Sequence, residues 1–242
     1  MKASAGAPRA VFFDVGDTLL DTSSMLDAAL FTALVPIDAK RTIEDVRAAV
    51  QASAADLPAQ RPSYLDPREN AAWWIDRYRR VADALGLTGE AHERFVEVVS
   101  EGHFAGDPLR VVPEAPAALE RLTARGVRLG VISNWDDTLE PILERKGLRR
   151  YFQAVVASTL FGTAKPSRAI FDHALRMLGV PAEEAWHVGD DPRADALGAL
   201  EAGLSAVLLD PYGLYPGVEA AGARRARNLT EAVDHILNGS PA

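Results

Sequence analysis

The sequence of 242 residues contains no cysteine and few lysines. The absence of cysteine excludes disulfides, thiolate nucleophiles and zinc sites that use cysteine ligands. Of the 26 basic side chains, 22 are arginine and only four are lysine, namely Lys2, Lys40, Lys146 and Lys165. Arginine therefore carries most of the positive charge in this chain, and the position of each of the few lysines is informative.

Long hydrophobic runs are also missing. The longest uncharged apolar run, residues 28–37, is about half the length that spans a bilayer. Residues 1–10 hold no apolar stretch of the length found in signal peptides. Acidic side chains outnumber basic ones by 34 to 26, and the net charge of −8 repels nucleic acid and anionic membranes. We therefore expect a cytoplasmic protein with no nucleic-acid or membrane partner, while the oligomeric state stays open.

Hydrophobic patterning predicts alternating helices and strands over the second half of the chain. Continuous apolar segments, typical of buried parallel strands, lie at residues 10–14, 127–133, 154–158 and 185–189, with a fifth candidate at 205–209. Helical patterns followed by glycine alternate with the later strands, at residues 113–125, 137–146, 166–178 and 192–202. The alternation predicts an α/β fold, with a Rossmann-like parallel sheet flanked by helices.

A segment after the first strand departs from this alternation. Residues 22–107 contain no convincing strand, and they show helical patterns near residues 24–34, 42–54, 68–85 and 90–102. The length of 242 residues also favours one core domain with a smaller insertion over two full domains. We therefore predict a core domain of residues 1–21 and 108–242, interrupted by an α-helical cap domain of residues 22–107.

Aspartates follow two of the predicted strands. Asp14 ends the first strand, while Asp190, Asp191 and Asp195 follow the fourth. Capping of the next helix explains one of the later three. If the two strands are neighbours, Asp14 lies near Asp190 and near Asp191 or Asp195. Two carboxylates about 4 Å apart repel each other by about 4 kcal/mol at an effective dielectric constant of about 20, so a basic group, a proton or a cation is needed. An all-oxygen site without histidine favours Mg²⁺.

Two further loops carry candidate binding groups. Ser133, Asn134 and Trp135 follow the second strand, where Ser133 and Asn134 could hold phosphate oxygens and Trp135 could line the pocket. Ordinary turn chemistry explains a Ser-Asn pair equally well. Lys165 precedes Pro166 in another loop, and its compact ammonium group can neutralise clustered carboxylates and a phosphoryl oxygen.

These segments together resemble the haloacid-dehalogenase-like (HAD) hydrolase superfamily, in the subgroup with a helical cap after the first strand. The family pattern runs Asp-x-Asp-x-Thr, then Ser or Thr, then Lys-Pro, then Gly-Asp with another Asp five residues further. The corresponding positions hold Asp14, Gly16 and Thr18, then Ser133, then Lys165 with Pro166, then Asp190 and Asp195.

The resemblance implies roles for the matching residues. It implies Asp14 as the nucleophile that forms an aspartyl-phosphate, with Ser133 and Lys165 stabilising the phosphoryl group and Asp14. It implies Mg²⁺ bound by Asp14, the backbone carbonyl of Gly16 and Asp190, with Asp195 nearby. The expected activity is a Mg²⁺-dependent phosphatase for a small phosphorylated metabolite.

One position departs from the family pattern. Family phosphatases carry an aspartate two residues after the nucleophile, where it protonates the leaving group, but this chain has Gly16 there and Asp17 next to it. General acid–base catalysis contributes roughly 10²- to 10⁴-fold to a rate. The alternatives are a slow phosphatase, an acid supplied by Asp17 or by the cap, or a non-catalytic module that binds a phosphoryl ligand or a protein. A 2-haloacid dehalogenase is a further alternative, although that chemistry needs no Mg²⁺ cluster.

Overall fold

The computed structural model describes residues 8–22, 26–54, 66–215 and 217–238. The chain forms two compact units, one of Met1–Leu20 with Val111–Ala242 and one of Asp21–Arg110. Across the described ranges, no helix combines the length and the apolar character needed to cross a membrane.

A parallel sheet of six strands, in the order β5-β4-β1-β6-β7-β8, forms the centre of the first unit. The strands are β1 (Ala10–Phe13), β2 (Leu20–Asp21), β3 (Arg110–Val111), β4 (Arg128–Ser133), β5 (Ala154–Ala157), β6 (Ala185–Gly189), β7 (Ser205–Leu209) and β8 (Arg224–Ala226). The short strands β2 and β3 form a separate two-stranded sheet. The predicted Rossmann-like parallel sheet is confirmed, and the first and fourth predicted strands are neighbours as β1 and β6.

Ten α-helices occur among the described residues. They are α1 (Leu26–Leu34), α2 (Ile43–Ala54), α3 (Pro67–Ala84), α4 (Gly89–Ala105), α5 (Ala115–Thr123), α6 (Leu139–Arg145), α7 (Ser158–Phe161), α8 (Arg168–Leu178), α9 (Gly198–Glu201) and α10 (Leu229–Asn238).

The central strands are apolar on both faces because helices cover both sides of the sheet. Every side chain of β1 is buried, and Phe12 of β1 is aligned with Gly130 of β4 and His187 of β6. One face packs against α8, whose buried residues recur with helical spacing and include Ile170 and Phe171. The core is therefore continuous through the strands that end at the aspartates.

The second unit is helical and contains α1 to α4. Its apolar cluster includes Leu30 of α1, Val46 of α2, Tyr78 of α3 and Phe95 of α4. The carboxylate of Asp66 caps α3 by accepting hydrogen bonds from the first backbone N–H groups of that helix. The role of this unit as a cap over the site stays a prediction.

Three local features differ from what the sequence alone indicates. The helix expected at residues 192–202 is present, but it begins as a π-helical turn, Pro192–Leu197, before α9. The spacing of Asp137 and Glu140 suggests a capping box for α6, but Asp136 accepts the hydrogen bond from the backbone N–H of Thr138. Residues 224–227, which suggest a solvated helix face, contribute the edge strand β8, and Arg225 of this strand pairs with Glu219.

Candidate active site

The carboxyl ends of three adjacent parallel strands bring the candidate residues together. Ser133 ends β4, Asp14 follows β1 and Asp190 follows β6. The backbone N–H of Asp14 continues the ladder and donates to the carbonyl of Val188 at 2.9 Å. In open α/β sheets this edge is where ligands bind. The site therefore forms because β1 lies between β4 and β6.

Lys165 lies at the centre of the site. Its Nζ atom is 2.7 Å from Oδ1 of Asp14 and 2.5 Å from Oδ1 of Asp195, and only 5% of the residue is exposed. Burial alone would lower the pKa of Lys165, but the two adjacent carboxylates raise that pKa above its usual value. The ammonium group is therefore charged and serves both aspartates.

Asn134 fixes the loop that presents this lysine. The side-chain Oδ1 of Asn134 accepts a hydrogen bond from the backbone N–H of Lys165 at 2.8 Å, and its Nδ2 donates to the carbonyl of Lys165 at 3.1 Å. Both ends of the carboxamide thus bind protein backbone. Sequence reasoning offered Asn134 as a phosphate ligand, and the structure adds this contact with the lysine loop.

A π-helical turn places Asp195 next to Lys165. The carbonyl of Asp191 accepts hydrogen bonds from the N–H groups of both Asp195 and Ala196, which widens the first turn of the helix. The absence of a side chain at Gly189 makes room, since a Cβ atom there would lie 2.2 Å from Cγ of Asp195. The carboxylate of Asp191 instead accepts from the N–H groups of Arg193 and Ala194. Of the two possibilities left by the sequence, Asp195 faces Asp14 and Asp191 is the cap.

Three donors bind the carboxylate of Asp195. Its Oδ1 atom is shared by Nζ of Lys165 and Nε2 of His187, the latter at 2.9 Å, and its Oδ2 atom accepts from the N–H of Asp191 at 3.0 Å. Burial acts to raise the pKa of Asp195, but Lys165 and His187 hold that pKa below its usual range. Burial raises the pKa of Asp14, and Lys165 offsets this only in part. Asp195 is thus the permanently charged partner of the lysine.

Asp190 has no such partner. Among the described residues no basic side chain forms an ion pair with it, and its closest side-chain donor is Oγ1 of Thr18, at 3.5 Å. Burial and the nearby charges of Asp14 and Asp195 raise the pKa of Asp190 to about 7. Carboxylate oxygens of Asp14, Asp190 and Asp195 lie within 4.8 Å of one another. Three carboxylates and one lysine leave an excess of negative charge that suits a hard divalent cation.

In the turn after β1, the left-handed backbone conformation occurs at Asp17 and not at the neighbouring glycine. Asp17 has a φ of 48°, in the left-handed region, whereas Gly16 is absent from the residues with positive φ. The side chain of Asp17 is exposed, and its backbone N–H donates to the carbonyl of Leu20 at 2.7 Å. The strained position of the turn therefore holds the aspartate, which tolerates this conformation better than most residues. Glycine occupies the position that does not require it.

Trp135 is partly buried in the loop after β4. Its indole Nε1 donates to Oγ1 of Thr138 at 3.1 Å, and its backbone carbonyl accepts from Oγ of Ser158 and from the N–H of Thr159, each at 3.2 Å. The ring is therefore held in place by the protein itself. It remains a candidate wall of the pocket.

Sequence reasoning missed the contribution of His187. A residue within an apolar strand is expected to pack in the core, and His187 lies there with 0% exposure, but its Nε2 atom also contacts Asp195. The signal that could have found it is a histidine in an otherwise apolar strand, since a buried polar group needs a partner. Thr18 matches the family pattern, and the structure places its Oγ1 atom 3.5 Å from Oδ1 of Asp190.

Comparison with known proteins relates most of the sequence to one family. The sequence profile of the haloacid dehalogenase-like hydrolases matches residues 8–203. The glyceraldehyde 3-phosphate phosphatase of Methanothermobacter thermautotrophicus is 33% identical over 214 residues, which are 84% of this chain and 85% of that protein. Haloacid dehalogenase-like hydrolase domain-containing protein 3 of Xenopus laevis is 34% identical over 145 residues, so the matched segment spans only 57% of each chain. The crystal structure of the L-2-haloacid dehalogenase RSc1362 aligns with a TM-score of 0.69 and 24% identity over 96% of this chain and 99% of that one, a likeness of fold.

Proposed function

Since the chain belongs to the haloacid dehalogenase-like hydrolases, we propose that it is a Mg²⁺-dependent phosphatase for a small phosphorylated metabolite. The observation that carries the proposal is the buried ion pair of Asp14 and Lys165, beside an Asp190 that has no basic partner among the described residues. The similarity to a glyceraldehyde 3-phosphate phosphatase supports a small phosphate ester as the substrate class.

Asp14 is the proposed nucleophile. Its carboxylate oxygen attacks phosphorus, a bond between that oxygen and phosphorus forms, and the bond from phosphorus to the ester oxygen breaks. The leaving alkoxide takes up a proton from solvent water, and a water molecule then hydrolyses the aspartyl-phosphate to regenerate the carboxylate and release inorganic phosphate. The reaction depends on positioning and on charge neutralisation more than on covalent assistance.

Lys165 and Ser133 neutralise and orient the reacting groups. Lys165 holds Asp14 at 2.7 Å, and its charge is available to a phosphoryl oxygen bound beside them. Ser133 is buried at the end of β4 and hydrogen-bonds with the Asp14 side chain. Asn134 supports the lysine loop and Trp135 lines the substrate side, so both contribute to binding in this proposal.

The carboxylate cluster fits a divalent cation. Asp14, Asp190 and the carbonyl of Gly16 are the proposed ligands, and bound Mg²⁺ would neutralise charge on the phosphoryl group. Asp195 is the fourth residue assigned to this site, and its oxygens already accept hydrogen bonds from Lys165, His187 and the N–H of Asp191. We therefore place Asp195 beside the metal, where it acts through Lys165.

A second candidate function follows from Gly16. Without a carboxylate at this position, the leaving group lacks the usual proton donor. A protein that binds a phosphoryl ligand and turns it over slowly, or not at all, is consistent with an intact charge cluster. Dehalogenation is disfavoured because it leaves the cluster of three carboxylates without a use.

The test is turnover of p-nitrophenyl phosphate with Mg²⁺ by wild type and by Asp14→Asn, followed by a panel of metabolite phosphates. We expect Asp14→Asn to lose the activity, because an amide is a poor nucleophile. Asp191→Asn is the matched control, since Asp191 caps a helix and asparagine caps equally well. Equal turnover by wild type and Asp14→Asn contradicts the proposal. Tight Mg²⁺-dependent binding of a phosphate mimic without any turnover favours the binding module.

A further inference from the structure

His187 is a polar residue in an apolar place. It lies in the middle of β6 with 0% exposure, and the ring of Phe171 on α8 meets it edge-on at 5.4 Å between centroids. Its Nε2 atom is 2.9 Å from Oδ1 of Asp195. Its Nδ1 atom is buried and has no hydrogen-bond partner in the described part of the chain.

The protonation of this imidazole follows from its surroundings. The ring is wholly buried, which disfavours its charged form, so it is neutral and carries one proton. Asp195 is ionised and can only accept, which places the proton on Nε2 and leaves the Nδ1 lone pair without a donor. A buried unsatisfied group destabilises the folded state, whereas an apolar side chain at this position would leave no unpaired nitrogen. The hydrogen bond to Asp195 is therefore the contact that accounts for the histidine.

The hydrogen bond from His187 acts on the orientation of Asp195. Lys165 and His187 share one oxygen of this carboxylate, and the N–H of Asp191 holds the other. Rotation of the carboxylate breaks at least one of these contacts. Removal of the Nε2–H bond takes away one of the three contacts that fix the carboxylate, which makes it easier for Asp195 to turn toward Asp190 and away from the ammonium group.

We propose that His187 is a positioning residue, which holds Oδ1 of Asp195 on Nζ of Lys165 and so keeps the ammonium group directed at Asp14. The inference rests on the proposed function, because the direction of Lys165 matters when Asp14 is the reacting group. His187 contacts neither substrate nor metal, and it acts through Asp195.

Two substitutions separate the hydrogen bond from the packing. His187→Phe keeps a ring beside Phe171 and removes the donor, while His187→Gln keeps an N–H donor near the position of Nε2. We expect His187→Phe to lower kcat for p-nitrophenyl phosphate about tenfold or more, with little change in KM, because small misplacements of catalytic groups cost up to about 10²-fold. Thermal unfolding should show both variants to be folded at the assay temperature. His187→Gln should recover most of kcat. In an Asp195→Asn background, His187→Phe should have no further effect.

Two measurements do not depend on turnover. A long-range ¹H–¹⁵N spectrum of wild type should show the His187 ring protonated on Nε2 alone. A crystal structure of His187→Phe should show the Asp195 carboxylate turned away from Lys165. Wild-type kcat in His187→Phe, no difference between the Phe and Gln variants, or a ring protonated on Nδ1 overturns the inference. If wild type cleaves no phosphate ester, the proposed function fails, and the spectrum and the variant structure then decide the inference by themselves.

Discussion

The Nζ atom of Lys165 lies 2.7 Å from Oδ1 of Asp14, although 151 positions separate the two residues in the sequence. The same Nζ atom contacts Asp195, and all three side chains are buried. One cation therefore compensates two buried carboxylates. Loss of one member of a buried ion pair leaves an uncompensated charge, which is strongly destabilising.

Lys165→Met should lower both stability and activity. Removal of the ammonium group leaves Asp14 and Asp195 facing each other, so we expect the free energy of unfolding to fall by about 3–5 kcal/mol. Urea denaturation measures this change, and p-nitrophenyl phosphate turnover should be lost with it. Lys40→Met is the matched control because Lys40 is exposed, and it should change stability by no more than about 0.5 kcal/mol. Similar denaturation curves for the two variants contradict a structural ion pair at the site.

The metal-free protein should lose stability as the pH rises. The pKa of Asp190 is raised to about 7 in the folded protein, against about 3.9 in an unfolded chain. Between these values the folded state binds more protons than the unfolded state, so the contribution of Asp190 to stability falls with increasing pH. Melting temperatures in EDTA across this range should follow that trend, and Asp190→Asn should flatten it.

Mg²⁺ should reverse this effect. A cation requires the ionised carboxylate, so added Mg²⁺ should raise the melting temperature more at about pH 8 than at about pH 5. The Asp190→Asn variant should respond weakly at both pH values. A response to Mg²⁺ that is as large in Asp190→Asn as in wild type places the cation elsewhere.

Gly16→Asp should accelerate the cleavage of alkyl phosphates. The new carboxylate supplies the missing proton donor, so turnover of an alkyl or sugar phosphate should rise by some fraction of the roughly 10²- to 10⁴-fold typical of acid–base catalysis. An aryl phosphate, whose phenolate leaves without help, should gain less. Before the substitution, wild type should strongly prefer aryl over alkyl esters in assays of both substrate types.

Substitutions of Asp17, in the same turn, are the controls for this experiment. Position 17 has the positive φ, so Asp17→Gly relieves strain there, and the double variant Gly16→Asp with Asp17→Gly should be at least as stable as the single one. Asp17→Asn removes the carboxylate of residue 17 and keeps the shape of the side chain. If wild type cleaves both ester types alike and Asp17→Asn abolishes turnover with stability kept, Asp17 is the acid.

Asp191→Ala should affect folding and leave metal binding unchanged. Its side chain accepts hydrogen bonds from the N–H groups of Arg193 and Ala194 at the start of the π-helical turn. Loss of such a cap costs about 0.5–2 kcal/mol, while Asp191→Asn should stay close to wild type. Thermal unfolding measures the difference. A weakened dependence of turnover on Mg²⁺ in either variant assigns Asp191 to the metal site instead.

The sequence predicts the framework of the site better than its contacts. Apolar strands ending in Asp14, Ser133 and Asp190 identify the sheet edge, because parallel strands end on the same side. The partner of Asp195 depends on the π-helical turn, which the regular helical spacing of Asp191 and Asp195 does not reveal. The contact between His187 and Asp195 depends on the strand and that turn together, so no local pattern encodes it.

Short edge elements are hard to predict for another reason. The three residues of β8 include two arginines, a pattern that shows no buried strand. Its charges are satisfied by tertiary partners, since Arg225 pairs with Glu219 and Arg224 lies over the ring of Trp186. Glu219 is a near neighbour in the sequence, but Trp186 and the pairing strand β7 are not, and the three residues of β8 do not reveal these contacts.

The position of β1 between β4 and β6 has a consequence for the order of folding. The strand that leads to Asp14 is wholly apolar, yet both of its neighbours follow it by more than about a hundred residues. Ribosomal synthesis thus exposes this strand well before either partner exists. Closing a long loop adds only about 0.6 kcal/mol for each doubling of its length, but distant pairing slows folding markedly. The segment between β1 and β4 therefore lengthens the time during which β1 is open to aggregation or chaperone binding, while it weakens the finished sheet very little.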